Sequence, residues 1–233
     1  GGKGLIKIID DGEGIVREDI KVAFERHATS KIRVIDDIFN IITMGFRGEA
    51  LASIAAVSHI SVISKTRRET IGTKYEIIGG KDGGLKDTSS RNGCVIEVKD
   101  LFFNTPARLN FLNSNAQEAS RITEFITRVA MGHPDISFRL TSDGKEILYT
   151  SGSNDIREAI AKVHGVNIAK QMIYVETAFD LGKISGFISP PQHSRGNRTG
   201  QTFFVNRRFI KDKGLAFTVE RAYKTMLPGG RFP

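Results

Sequence analysis

The sequence predicts an α+β chain in two parts, and three observations predict it. Apolar, strand-like runs end in glycine turns, amphipathic helical stretches alternate with them, and a joint at Ser151-Gly152-Ser153-Asn154 separates two halves of different charge. The charge division is complete. From Lys183 onward ten basic residues stand against Asp212 and Glu220 alone, which accounts for the whole net charge of +8. A neutral body with a basic end points to a polyanion such as nucleic acid. The plain alternative is a solvated surface that is merely rich in lysine and arginine.

Composition narrows the class further. With 39% hydrophobic and 26% charged residues the chain is globular, neither disordered nor collagen-like. No apolar run approaches the roughly 20 residues of a membrane span, and no signal peptide is recognisable. The single cysteine, Cys94, excludes an internal disulfide framework and a multi-cysteine zinc site, and it fits a reducing cytosol. The opening Gly1-Gly2-Lys3-Gly4 carries no methionine, and the expectation is a piece of a longer protein.

In chain order, Leu5–Ile9 reads as a buried strand entering a turn cluster, Asp10-Asp11-Gly12-Glu13-Gly14. Ile20, Phe24 and His27 recur at helical spacing, so a short helix is expected over 17–27. Between His27 and Ala50 the periodicity dissolves, save for one amphipathic turn at Ile38, Ile41 and Ile42. A stretch of that length inside a compact domain reads as a functional lid or a disordered segment. A helix follows through Leu51–Val57, then strands at 60–64, 73–78 and 94–98. Ile122, Phe125, Ile126, Val129 and Ala130 fit one helical face that Gly132 and Pro134 end. Strands at 136–140 and 146–150 flank the hairpin signal Ser142-Asp143-Gly144-Lys145. Ile156, Ile160 and Val163 mark another helix, with strands near 183–188 and 202–206 beyond it.

Three stretches carry chemistry. In Asp10-Asp11-Gly12-Glu13-Gly14-Ile15, a carboxylate at a strand end can accept from an exocyclic amine, and the glycines let a flat ring approach the backbone. The further oxygen ligands of an EF-hand are absent, and an ordinary turn is the competing reading. The second stretch is Arg26-His27-Ala28-Thr29-Ser30-Lys31 with Gly45-Phe46-Arg47-Gly48-Glu49-Ala50-Leu51, in which a glycine–arginine–glycine loop meets a helix start. Free backbone N–H groups there favour an anion, and Thr29, Ser30 and Lys31 add hydroxyl donors and a cation. It is not a P-loop, since Gly-x-x-x-x-Gly-Lys-Ser/Thr does not occur. The third runs from Asn92-Gly93-Cys94 through Val98 to Leu101-Phe102-Phe103-Asn104-Thr105-Pro106-Ala107-Arg108. Its glycine enters an apolar strand, and Asn104-Thr105-Pro106 signals a turn and cap before a helix.

In this order and spacing the three stretches resemble the N-terminal ATPase region of the MutL mismatch-repair family, part of the superfamily of DNA gyrase, histidine kinases and a heat-shock chaperone. Arg26–Lys31, Gly45–Leu51 and Leu101–Arg108 are the stretches specific to MutL-type members. The resemblance runs to Phe204-Val205-Asn206-Arg207-Arg208 and implies a two-layer α/β sandwich of the Bergerat type over 1–152. A partial domain like one of ribosomal protein S5 would occupy 153–233. Asp10 would bond the adenine amino group, Gly12, Gly14 and Ile15 would shape the pocket, and Gly93 and Cys94 would line its adenine side. Thr29, Ser30, Lys31, Phe46, Arg47, Gly48, Glu49, Ala50 and Leu51 would form an ATP lid. No catalytic residue is assigned, because the family's general-base glutamate and magnesium-binding asparagine are expected upstream of residue 1. By the same token this piece is expected to be inactive alone.

The resemblance also implies ATP and Mg2+ as cofactors, and as partners DNA bound without sequence preference, a MutS-type mismatch sensor, and a second copy or paralogue, with no membrane. Location would be cytoplasmic in a bacterium and nuclear in a eukaryote. Arg207, Arg208, Lys211 and Lys213 are the candidate phosphate contacts. Cys94 stands where the resemblance would put threonine, and Arg207 where it would put a frequent glycine. Cys94 and the catalytic helix expected upstream permit a rival reading, a DNA-binding module on a vestigial nucleotide fold.

Overall fold

The computed structural model describes residues 1–25, 49–180 and 182–233. Among these, two compact units form, Gly1–Ile122 and Thr123–Pro233. The boundary at 152/153 expected from the sequence lies inside the second of them.

The first unit is built on a five-stranded antiparallel sheet in the order β1-β5-β2-β3-β4, from β1 (Leu5–Asp10), β2 (His59–Lys65), β3 (Gly72–Ile78), β4 (Lys81–Thr88) and β5 (Gly93–Lys99). Strand β2 shows why one face is covered, since its residues alternate strictly between buried and half-buried. Ile60, Val62, Tyr75 and Ile77 meet Ile20 of α1 (Arg17–Val22) and Ala55 of α2 (Ala50–Ala55), and together they form the core. Strands β1, β2, β3 and β5 lie where the apolar runs put them. Within the described residues α1 ends at Val22, short of the 17–27 expected, and the turn at Ile38–Ile42 falls outside them.

Strand β4 has no counterpart in the sequence reading. It carries Gly83, Gly84 and four charges, and that polarity suits an outer strand, where unpaired backbone groups invite association and charge discourages it. Two ion pairs strap it to α1, Lys21 Nζ to Asp82 at 2.6 Å and Arg17 Nη1 to Asp87 at 2.5 Å. At the opposite edge Ile8 and Ile9 are 56% and 68% exposed.

Helix α3 (Pro106–Asn110) starts with proline as its first residue, as the Asn-Thr-Pro signal requires. Helix α4 (Asn115–Gly132) follows. The second unit then pairs β6 (Ser137–Ser142) with β7 (Lys145–Ser151), and β8 (Ile173–Phe179) with β9 (Gly182–Ile188). Helices α5 (Ile156–His164), α6 (Val166–Gln171) and α7 (Lys213–Tyr223) complete it, around a core of Met131, Ala159, Ile160 and Ala169. Asp155 and Asp212 cap α5 and α7 by accepting from Arg157 N and Leu215 N.

Strands β10 (Phe203–Val205) and β11 (Arg208–Ile210) are joined by a two-residue turn with Asn206 at φ 47° and Arg207 at φ 66°. Such a turn asks for glycine at its second position, and arginine there costs about 1 kcal/mol. A forked pair offsets the cost, because Arg207 Nη1 lies 2.9 and 3.0 Å from the Asp135 oxygens. We therefore expect Arg207→Gly, which relieves the turn but removes the pair, to stay within about 1 kcal/mol of the parent in thermal unfolding. Arg207→Ala, which removes the pair without relieving the turn, will be the less stable of the two.

Candidate functional site

The sheet of the first unit carries one polar rung. Ile6, Val98, Ile60 and Ile77 stand opposite one another across β1, β5, β2 and β3, and so do Ile8, Ile96, Val62 and Tyr75. One step further, at the end where β1 finishes, the row becomes Asp10, Cys94, Ser64 and Thr73. Directly opposed residues share a face, so apolar ladders give way to a carboxylate, a thiol and two hydroxyls.

The turn cluster folds back onto this rung. Gly12 N–H donates to Asp10 Oδ1 at 3.0 Å, which steers the chain out of the strand. Ser64 Oγ accepts from Ile15 N–H at 2.7 Å and offers its proton to Ile15 O at 3.1 Å, with Gly93 O at 3.4 Å. Further along, Arg17 N–H donates to Glu69 Oε1 at 3.1 Å, while the other oxygen of Glu69 accepts from Thr66 N–H and Oγ1. The Thr66 amide and hydroxyl, with Arg17 behind them, hold the Glu69 carboxyl below its ordinary range. Arg17 Nη1 also reaches Thr73 Oγ1, at 3.3 Å.

Two glycines are demanded by this close packing alone. Gly93 sits at φ 105°, and a Cβ there would meet Asp10 O at 2.1 Å. Gly14 sits at φ 75°, and a Cβ there would meet Lys65 O at 2.4 Å.

Asp10 is exposed. Its Oδ1 holds Gly12, and among the described residues Oδ2 has no hydrogen-bond partner. An acceptor oxygen at the surface beside a small buried side chain fits the amino edge of a purine. Cys94 is 6% exposed, and burial pushes its thiol up, with the Asp10 charge adding to the rise and Ser64 opposing it. It therefore stays protonated at neutral pH and is no nucleophile. No cluster of three or more metal-ligating side chains occurs among the described residues.

The structure thus brings Asp10, Gly12, Gly14, Ile15, Gly93 and Cys94 together. Glu49, Ala50 and Leu51 belong to a separate element at the start of α2, whose far end is tied to the other end of the sheet by Gly80 N–H to Ala55 O. Thr29, Ser30, Lys31, Phe46, Arg47 and Gly48 lie outside the described residues. An open groove lined by Lys21, Phe24, Ala52, Tyr75 and Asp82 is separate and shares no residue with the rung. Sequence reasoning missed Ser64, Glu69 and Arg17. For Ser64 a signal existed: a hydroxyl at the buried parity of an apolar strand, in step with Ile60 and Val62.

In the second unit the basic residues divide by partner. Arg207 is held by Asp135, Arg198 by both oxygens of Glu220, and Lys183 by Glu176. Arg208 is half-buried on β11. Lys211, Lys213, Arg221 and Lys224 are exposed and in no ion pair among the described residues. The last three fall with exposed Phe217 on one stripe of α7 and its C-terminal extension.

Comparison with known proteins adds the following. A family model described as "DNA mismatch repair protein, C-terminal domain" matches residues 160–233. The whole chain aligns at 42% identity with DNA mismatch repair protein MutL of Clostridium botulinum Eklund 17B. Over 232 residues it aligns at 47% with that of Listeria monocytogenes serovar 1/2a. It spans 35% and 38% of the length of those two proteins. Among solved structures, the Aquifex aeolicus MutL ATPase domain complexed with ADP superposes with a TM-score of 0.70 at 27% identity, over 94% of this chain and 76% of that one. The N-terminal domain of a DNA repair protein gives 0.77 at 26% identity, over 96% and 70%.

Proposed function

We propose, from the premise that this chain belongs to the MutL family of DNA mismatch repair proteins, that it forms the nucleotide-binding part of an ATP-driven switch acting on DNA. The observation that carries the reading is the polar rung, an exposed carboxylate at the end of β1 held by Gly12 N–H, with Cys94 opposite it, Gly93 against its backbone and Gly14 against the end of β2. The ADP complex of the Aquifex domain supports a nucleotide in this fold.

The residues would work as follows. Asp10 Oδ2 accepts from the adenine amino group, and the backbone at Gly12–Ile15 flanks the ring. Thr29, Ser30 and Lys31, with Phe46–Leu51, close over the phosphates as a lid. ATP supplies the binding energy that favours the closed arrangement, and the closed arrangement favours pairing with a second copy or a paralogue around DNA. Hydrolysis then releases it. The general base and the Mg2+ ligand come from residues outside this chain, and a MutS-type sensor loads the switch. Residues 1–152 form the ATP-binding domain in this reading, and 153–233 the S5-like domain that meets DNA.

A non-hydrolysable ATP analogue added to the intact protein should protect residues 28–50 from proteolysis. Unchanged cleavage at verified saturation refutes the lid. For DNA, the ion pairs favour Lys211 and Lys213 over Arg207 as the groups that meet phosphate. Alanine at both should make the dependence of binding on salt shallower by about 0.9 for each phosphate no longer neutralised, whatever the DNA sequence. Arg207→Ala should leave the slope nearly unchanged, and a slope that follows Arg207 instead would reverse the assignment.

A further inference from the structure

We propose that Ser64 is the positioning residue of the base pocket: a buried hydroxyl that clamps Ile15 and so fixes the loop Gly12–Ile15 beside Asp10. The proposal rests on the nucleotide reading above and goes beyond it by naming a residue that touches no ligand.

Four observations carry it. Ser64 is 1% exposed, so its hydroxyl has no water to turn to. It meets both the N–H and the C=O of one residue, at 2.7 and 3.1 Å, a pairing that a backbone ladder would ordinarily make. It stands opposite Cys94, which stands opposite Asp10, so the clamp and the carboxylate occupy one row of the sheet. Finally, the loop has few other anchors before α1 among the described residues. Gly12 holds Asp10 Oδ1, Arg17 N–H meets Glu69, and of the residues between them Ile15 is the one whose backbone a described side chain grips. The hydroxyl has one proton and two carbonyls in reach, Ile15 O and the more distant Gly93 O at 3.4 Å. It therefore couples the loop to the strand that borders the pocket on its other side.

Without the hydroxyl, the part-buried N–H and C=O of Ile15 lose the group that grips both, the Cys94 thiol beside the Ile15 amide is a far weaker substitute, and the loop relaxes to find water. The base end of the pocket then loses its shape while the phosphate end is untouched. Discrimination between bases is what should suffer.

The test uses the intact protein with ATP and GTP as probes, by calorimetric titration, and amide exchange of residues 12–16 without nucleotide. Ser64→Ala should weaken ATP binding about tenfold, bring ATP and GTP towards equal affinity, and speed exchange at 12–16. Ser64→Thr, which keeps the hydroxyl, should restore all three. Ser61→Ala, on the half-buried face of the same strand, should change none. If Ser64→Ala does not fold, Ser64→Cys keeps the side-chain shape at a slightly larger volume and exchanges the hydroxyl for a weak thiol donor, and it should show the same changes in milder form. Folded variants that keep the parent's base preference and exchange rates overturn the clamp. So does an equal loss for ATP and GTP with only a lowered melting temperature, the mark of a merely structural serine. A parent protein that binds neither nucleotide would sink the function proposed above instead, and amide exchange at 12–16 would still decide the clamp.

Discussion

Gly93→Ala should cost the first unit roughly 3–5 kcal/mol and abolish nucleotide binding. Two penalties add here. At φ 105° a side chain is strained wherever it points, and the new methyl carbon would lie 2.1 Å from Asp10 O. The obstacle is backbone, in the last rung between β1 and β5, so no flexible side chain can yield. Either β5 twists away from β1 or the Asp10 peptide rotates, and both move the carboxylate. Thermal unfolding should register a fall of about 10 °C. A variant that melts with the parent and binds ATP as tightly would show that the close approach of the two strands is not needed.

Asp10→Ala should separate binding from folding. The side chain is exposed and its one hydrogen bond among the described residues is to the Gly12 amide at 3.0 Å, so stability should change by no more than about 1 kcal/mol. Affinity for ATP should drop about a hundredfold, the scale of losing a hydrogen bond to a charged group. Asp10→Asn keeps the fold as well, but it puts a donor where only acceptors stood and should narrow the margin of ATP over GTP. Equal ATP affinity in parent and alanine variant, measured by titration, would remove Asp10 from the base pocket.

Much of this fold is legible in the residues, and the illegible parts share causes. Strands β2, β3 and β5 announce themselves because they pack a face on the core, which forces apolar residues into step. Strand β1 is where its apolar run put it but is not the buried strand expected: it is an edge strand whose Leu5, Ile8 and Ile9 are exposed among the described residues. Strand β4 does not announce itself. It lies at the outside of the sheet, pairs on one side only, and is free to carry glycine and charge. Helix α7 escaped notice because only Ala216 and Tyr223 of it are buried, which leaves Phe217 and Leu215 facing out and blurs the helical period. At the site, Asp10, Gly12, Gly14 and Gly93 stood out as residue types with a chemical reason to be there. Ser64 did not, since its one signal, a hydroxyl in step with Ile60 and Val62, marks a buried serine without saying which groups it holds. The order of the three motifs carried the resemblance to the family; the hydrogen bonds carry the proposal for the clamp.

Because Asp10 is the final rung of β1 as well as the proposed reader of the base, letter and page are bound together. Swapping its side chain can change which purine is welcome, but shifting it by a single residue would turn it to the opposite side of the sheet and unstitch the edge that holds it. A designer who wants this scaffold to accept another base should edit the tip of that strand and leave its length alone.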